Sequence, residues 1–243
     1  MCLILFAVNP NPEYRLIVAA NRDEFYSRKA SPAELWRDKP GILAGRDQEK
    51  GGTWLGIRED GRFAAVTNFK EEITQTLPKR SRGELPTNFL LGNEDPLTYS
   101  HAVSKKAEKY RGFNLLTANN KSLVYYSNRI DKPVVLKSGY YGLSNQALNC
   151  NWPKVAEGRK LLRDNVQINE KKLPAKLFEI LLHKGDSREF SDSFITGKEY
   201  GTRAATVVII KNSGGILFEE RTFGPGGAPL ANDSFVISYK GDS

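Results

Sequence analysis

The sequence predicts an α+β fold built on antiparallel sheet. Three observations carry this. Short apolar and β-branched runs recur towards both ends of the chain, turn-rich connections join neighbouring runs, and helix-start signals cluster in the middle. The 243 residues, 40% hydrophobic and 26% charged, suit a single domain over residues 1–243. That composition excludes a disordered or fibrous chain.

The first run, Cys2–Val8, reads as a buried strand at the head of the chain, where most chains fray. Asn9-Pro10-Asn11-Pro12 turns it into Arg15–Ala20. Thr53–Arg58 and Arg62–Thr67 flank Glu59-Asp60-Gly61. Gly112–Ala118, Leu123–Ser127, Val134–Leu136 and Tyr141–Ser144 follow. Ala205–Lys211 and Gly215–Thr222 meet through Asn212-Ser213-Gly214-Gly215, and Ser234–Tyr239 comes last. The short turn segments between paired runs predict hairpins.

Helices are predicted between these runs. Ser81-Arg82-Gly83-Glu84 fits a capping box ahead of Leu85–Leu91. Asp95-Pro96 offers an N-cap and a first-turn proline for Leu97–Tyr110. Trp152-Pro153 opens a helix reaching Asn165, and Leu173–Lys184 carries Leu177, Ile180 and Leu181 at helical spacing. Gly51–Gly56 lacks the spacing of a phosphate loop and reads as turn or bulge glycines beside a packed Trp54. Gly224-Pro225-Gly226-Gly227 reads as a flexible loop.

Lys and Arg number 36 against 28 Asp and Glu, a net charge of +8. This favours acidic partners such as phosphates, anionic cofactors, nucleic acid or a membrane surface, or serves simple solubility. The basic residues are dispersed, and the densest run, Lys79-Arg80-Ser81-Arg82, reads as a solvated loop, so no nucleic-acid partner is expected. No apolar stretch reaches the ~18 residues of a membrane span. The apolar start has neither a basic leader nor a cleavage site. Two cysteines cannot make a disulfide scaffold, which predicts a reducing, cytoplasmic setting. His101 and His183 fall in predicted helices, and no zinc-ligand spacing exists, so no metal is expected.

Cys2 is the first candidate for chemistry. Trimming of Met1 would place a thiol and an α-amine on one residue. Such an amine titrates at about 7.7–8.0 and can act as a built-in base. The same cysteine also reads as a core residue of a buried strand. Asn21-Arg22-Asp23-Glu24 follows the second strand directly. Its arginine could grip a carboxylate and its aspartate an ammonium, or the four could form a turn with a local ion pair. Asn68 and Asn145 end strands, where amide donors can line an oxyanion hole or simply make turns. Arg203, in Gly201-Thr202-Arg203, could fix a nucleophile or make a structural salt bridge. Cys150 reads as incidental.

Taken in order, these residues resemble a family. Met1-Cys2-Leu3-Ile4, Asn21-Arg22-Asp23-Glu24, Gly52-Thr53-Trp54-Leu55-Gly56, Thr67-Asn68, Ser81-Arg82-Gly83, Gly112-Phe113-Asn114-Leu115-Leu116, Gly142-Leu143-Ser144-Asn145, Trp152-Pro153-Lys154 and Gly201-Thr202-Arg203 resemble the NRDE family, also called the transport and Golgi organization protein 2 family. The resemblance implies an N-terminal nucleophile hydrolase-like fold, a four-layer αββα sandwich of two antiparallel sheets flanked by helices. It is also similar to the cysteine amidases that cleave bile-salt conjugates or penicillin side chains. By order and context it gives site roles to Cys2, Arg22, Asp23, Asn68, Asn145 and Arg203. The amidases carry their aspartate three residues past the arginine. That place is Phe25 here, so Asp23 or Glu24 would substitute.

Two functions are therefore expected as alternatives. One is a cysteine hydrolase of a linear amide or related acyl bond that needs no cofactor. The other is a non-catalytic carrier for haem or an acyl-coenzyme A-type ligand, since eukaryotic members of the resembled family are linked to haem trafficking and lipid or coenzyme A metabolism.

Overall fold

The structure, a computed structural model, describes residues 2–71, 80–130 and 132–239. Met1 and residues 72–79 of the Phe69–Lys79 loop lie outside them. The chain forms two compact units. One comprises Met1–Arg28, Ser138–Ser144 and Leu148–Ser238, and the other comprises Lys29–Lys137, Asn145–Ala147 and Tyr239–Ser243.

The first unit holds an antiparallel sheet of six strands. They are β1 (Leu3–Val8), β2 (Tyr14–Phe25), β10 (Gly139–Leu143), β11 (Tyr200–Lys211), β12 (Gly215–Phe223) and β13 (Pro229–Ser238), in the order β10-β1-β2-β11-β12-β13. Helices α3 (Pro153–Asn165) and α4 (Leu173–Leu181) cover it. Alternation along β1 sends Leu3, Leu5 and Ala7 into a core with Val155, Leu162, Leu177 and Phe178 of these helices. Each large side chain buried there stabilises the fold by roughly 1.5–3 kcal/mol. The packing is close. A Cβ at Gly142 would lie 2.8 Å from Val155 Cγ1, and one at Gly158 would lie 2.7 Å from Leu5 Cδ1. The two glycines thus let α3 lie directly on β1 and β10.

The second unit holds seven antiparallel strands in sequence order: β3 (Ala30–Leu35), β4 (Ile42–Asp47), β5 (Leu55–Arg58), β6 (Phe63–Asn68), β7 (Phe113–Ala118), β8 (Leu123–Ser127) and β9 (Val134–Val135). Helices α1 (Glu84–Leu91) and α2 (Pro96–Ser104) cover it through Leu85, Phe89, Tyr99 and Val103. Gly52 and Gly83 meet backbone to backbone, which explains the glycines of two of the quoted motifs. Trp54 lies over Gly45, the packed tryptophan the sequence predicts.

Two antiparallel sheets, each covered by a helical pair, make the α+β fold class expected. The three predicted hairpins are present, β1 with β2, β5 with β6 and β11 with β12.

Some local expectations are corrected. The second strand does not stop at Ala20. Its partner β11 starts at Tyr200 and keeps pairing as far as Phe25, so Asn21–Glu24 are strand residues rather than a turn. Arg203 likewise lies inside β11. Two strands go beyond the sequence expectation: β3, because Ala30–Leu35 is mostly exposed and has no apolar run, and β4, because its buried part offers only Ile42-Leu43-Ala44 before Gly45. No side chain caps α1, because the helix starts at Glu84 and its N-cap is Gly83, which has none; the Glu84 carboxylate instead accepts from the Tyr110 hydroxyl and pairs with Arg80. Helix α2 ends at Ser104, and residues 107–109 form a separate 3-10 turn. Helix α4 ends at Leu181, because the His183 carbonyl accepts the N–H groups of Ser193 and Phe194. Residues 225–227 form a 3-10 turn tied by Gly226 N–H to Gly197 O.

Candidate active site

The first unit gathers polar groups at the head of β1. Register pairs Leu3 with Asn21, so Cys2 comes level with Arg22. The Asp23 backbone N–H hydrogen bonds the Cys2 sulfur. The Ser144 hydroxyl donates to the Cys2 carbonyl oxygen at 2.5 Å. Burial pushes the Cys2 thiol up; the Asp23 charge adds to this, while its N–H and the Arg22 guanidinium oppose it. A thiol held protonated in this way needs a base before it can attack.

Asp23 is buried on β2 opposite Thr202 of β11. The Thr202 oxygen accepts the Ile195 N–H at 2.9 Å, so its own proton is directed to Asp23 Oδ1 at 2.7 Å. Burial raises the Asp23 carboxyl, and Lys154, the Thr202 hydrogen bond and Arg22 act against the rise. Arg22 is buried, with Glu24 at 3.9 Å. Glu24 also accepts the Phe25 N–H and is only partly buried. Of the two carboxylates left open by sequence, Asp23 is the one whose charge acts on the thiol.

Asn21 serves the fold. Its Nδ2 donates to Leu181 O and Ser193 O, both at 2.7 Å, bracing the end of α4. Arg203 is the bulged residue between the pairs Thr202–Asp23 and Ala204–Arg22. Its guanidinium donates to the Phe25 and Arg28 carbonyls and lies over the Tyr26 ring. It therefore clamps the chain that leaves β2.

In the second unit Asn68 and Asn145 come together. Asn145 Nδ2 donates to the Asn68 carbonyl at 2.8 Å, and the Asn145 carbonyl accepts the Lys70 N–H at 2.6 Å.

Three residues of this region carried no role in the sequence reading: Ser144, Thr202 and Lys154. Ser144 and Thr202 are fully buried hydroxyls whose partners lie 142 and 179 positions away, beyond any local pattern. Lys154 did leave a signal. A lysine in the first turn of a helix opposes the macrodipole and asks for a reason.

Two antiparallel sheets, each covered by two helices, give an α+β fold like that of N-terminal nucleophile hydrolases. A variant of conjugated bile acid hydrolase from Clostridium perfringens superposes with a TM-score of 0.57 at 11% identity, over 99% of this chain and 97% of that one. An N-acylethanolamine-hydrolyzing acid amidase ortholog from Caenorhabditis elegans gives 0.52 at 14% identity, over 86% and 92%. At these identities the likeness is one of fold. The chain itself belongs to the Transport and Golgi organisation 2 family, whose pattern residues 1–225 match. It is 37% identical to the Transport and Golgi organization protein 2 homolog of Homo sapiens and 36% to that of Bos taurus, each over 91% of this chain and 93% of the relative. The Drosophila melanogaster protein is 24% identical over 91% and 92%.

Proposed function

We propose that the chain is a cysteine N-terminal nucleophile hydrolase that cleaves a linear amide or related acyl bond. The observation that carries the reading is the Cys2 thiol at the head of β1, hydrogen-bonded by the Asp23 backbone and pinned through its own carbonyl by Ser144. With Met1 removed, the α-amine of Cys2 takes the thiol proton and the sulfur attacks the carbonyl carbon. The amine then returns that proton to the departing amine as the carbon–nitrogen bond breaks. Water hydrolyses the resulting thioester and frees the acid. Arg22 and Asp23 hold the thiol and amine. Arg203 acts from further out by clamping the end of β2.

The test is mass spectrometry of the mature protein after incubation with an activated N-acyl amide. Expected are loss of Met1 and an acyl adduct on Cys2 that Cys2→Ala lacks. A retained Met1, or full turnover by Cys2→Ala, overturns the mechanism.

The buried guanidinium of Arg22 also suits the carrier alternative, in which it grips acidic groups of haem or an acyl-coenzyme A. Titrating both ligands against Cys2→Ala separates the two readings. Tight binding without turnover favours the carrier. The cytoplasmic setting is proposed on the sequence alone, since two cysteines cannot make a disulfide scaffold. Among the described residues no helix is long and apolar enough to cross a membrane.

A further inference from the structure

Lys154 is 2% exposed, and its Nζ is buried without a hydrogen-bond partner among the described residues. An ammonium so placed is costly unless a charge nearby compensates it. It stands in the first turn of α3, where the helix dipole also disfavours a cation. The neighbouring Val155 seats this turn on Gly142, the register partner of Leu5, three residues from Cys2. Four groups face the ammonium electrostatically. Asp23 of β2 leads, followed by Cys2, Asp192 from the segment before β11, and Cys150 from the segment before α3.

We propose that Lys154 is a positioning residue of the Cys2 site, whose buried ammonium offsets the Asp23 carboxylate and so keeps protons off the thiol and the terminal amine. The inference rests on the hydrolase reading and deepens it. The charge arithmetic is simple. A lone Asp23 carboxylate beside the nucleophile favours protonated forms of both thiol and amine, and a protonated amine is no base. Lys154 and Arg22 together tip the local balance positive. That favours the thiolate and the neutral amine, the pair that attack requires. Burial holds the Lys154 ammonium below its ordinary value, and Asp23 offsets part of that fall.

The experiment follows alkylation of Cys2 by iodoacetamide across pH, resolved from Cys150 by peptide mass spectrometry. Lys154→Met moves the profile up by about one pH unit, a roughly tenfold slower reaction at neutral pH. Asp23→Asn moves it down, the double variant returns towards wild type, and Lys154→Arg stays at wild type. An unmoved profile in Lys154→Met overturns the inference. Should that variant fail to fold, thermal unfolding decides. Removing both charges leaves no unpaired ion, so Asp23→Asn/Lys154→Met unfolds at a higher temperature than Lys154→Met. A double variant no more stable than the single overturns the pairing. A wild-type Cys2 that ignores iodoacetamide at every pH defeats the hydrolase reading instead, and the stability comparison still judges Lys154.

Discussion

The Ser144 hydroxyl donates to the backbone carbonyl of Cys2 at 2.5 Å, although 142 positions separate the two residues. This bond fixes the peptide unit that carries the thiol. Ser144→Ala leaves that carbonyl without its hydroxyl donor and costs about 1 kcal/mol of stability. Cys2 acylation slows by more than this loss accounts for, because the sulfur is then less well aimed. Thermal unfolding and acylation rates of the same preparations check both outcomes. An acylation rate equal to wild type refutes the aiming role.

Thr202 favours the charged form of Asp23. Its hydroxyl bonds the ionised carboxylate, so Thr202→Val removes a contact that favours the charged form. Desolvation is then less opposed, and the Asp23 carboxyl rises further. The acid limb of the activity profile therefore moves to higher pH. Thr202→Ser, which keeps the donor, restores the limb. A limb that stays in place in Thr202→Val shows that Asp23 does not set it.

Gly52 and Gly83 set the backbone approach between the loop before β5 and the start of α1. A Cβ on Gly52 would lie 2.5 Å from the Gly83 carbonyl carbon and oxygen, and backbone has little room to yield. Gly52→Ala destabilises by about 1–3 kcal/mol. Gly83→Ala, whose Cβ would meet Thr53 O at 3.2 Å, costs less. Chemical denaturation ranks the two, and the reverse order refutes the contact.

Tyr99 and Tyr110 make the second unit sensitive to alkali. Burial raises both phenols above their ordinary value of 10.0; the Tyr110–Glu84 hydrogen bond adds to the rise at Tyr110. Folded values above unfolded ones mean a contribution fully present below about pH 10 and lost as pH climbs through the raised folded values. Phenolate absorbance from these two tyrosines therefore grows in together with loss of helical and sheet signal. Early ionisation in a still-folded protein contradicts the assignment.

Legibility followed distance along the chain. The sheet cores were readable because apolar residues recur within a few positions, as in Leu3–Val8 and Phe113–Ala118, where every residue is buried. The Asp95 cap was readable because its bonds reach only Leu97 and Thr98. The capping box at Ser81–Glu84 is not formed because the helix starts later, at Glu84 with Gly83 as its N-cap, and the Glu84 carboxylate accepts from Tyr110, 26 positions away. Strand β2 was drawn too short because polar side chains at Asn21–Glu24 hide a ladder that β11 continues.

The sequence by itself determined the α+β class, the hairpins, the family resemblance and the identity of Cys2, Arg22, Asp23, Asn68, Asn145 and Arg203 as the residues to watch. Only the tertiary structure chose Asp23 over Glu24 as the carboxylate at the thiol, turned Arg203 towards the end of β2, and brought Ser144, Thr202 and Lys154 into the same neighbourhood. The reason is physical. Backbone periodicity and turn chemistry act between near neighbours, whereas a buried hydroxyl or ammonium answers to charges and carbonyls that the folded sheet brings from far along the chain.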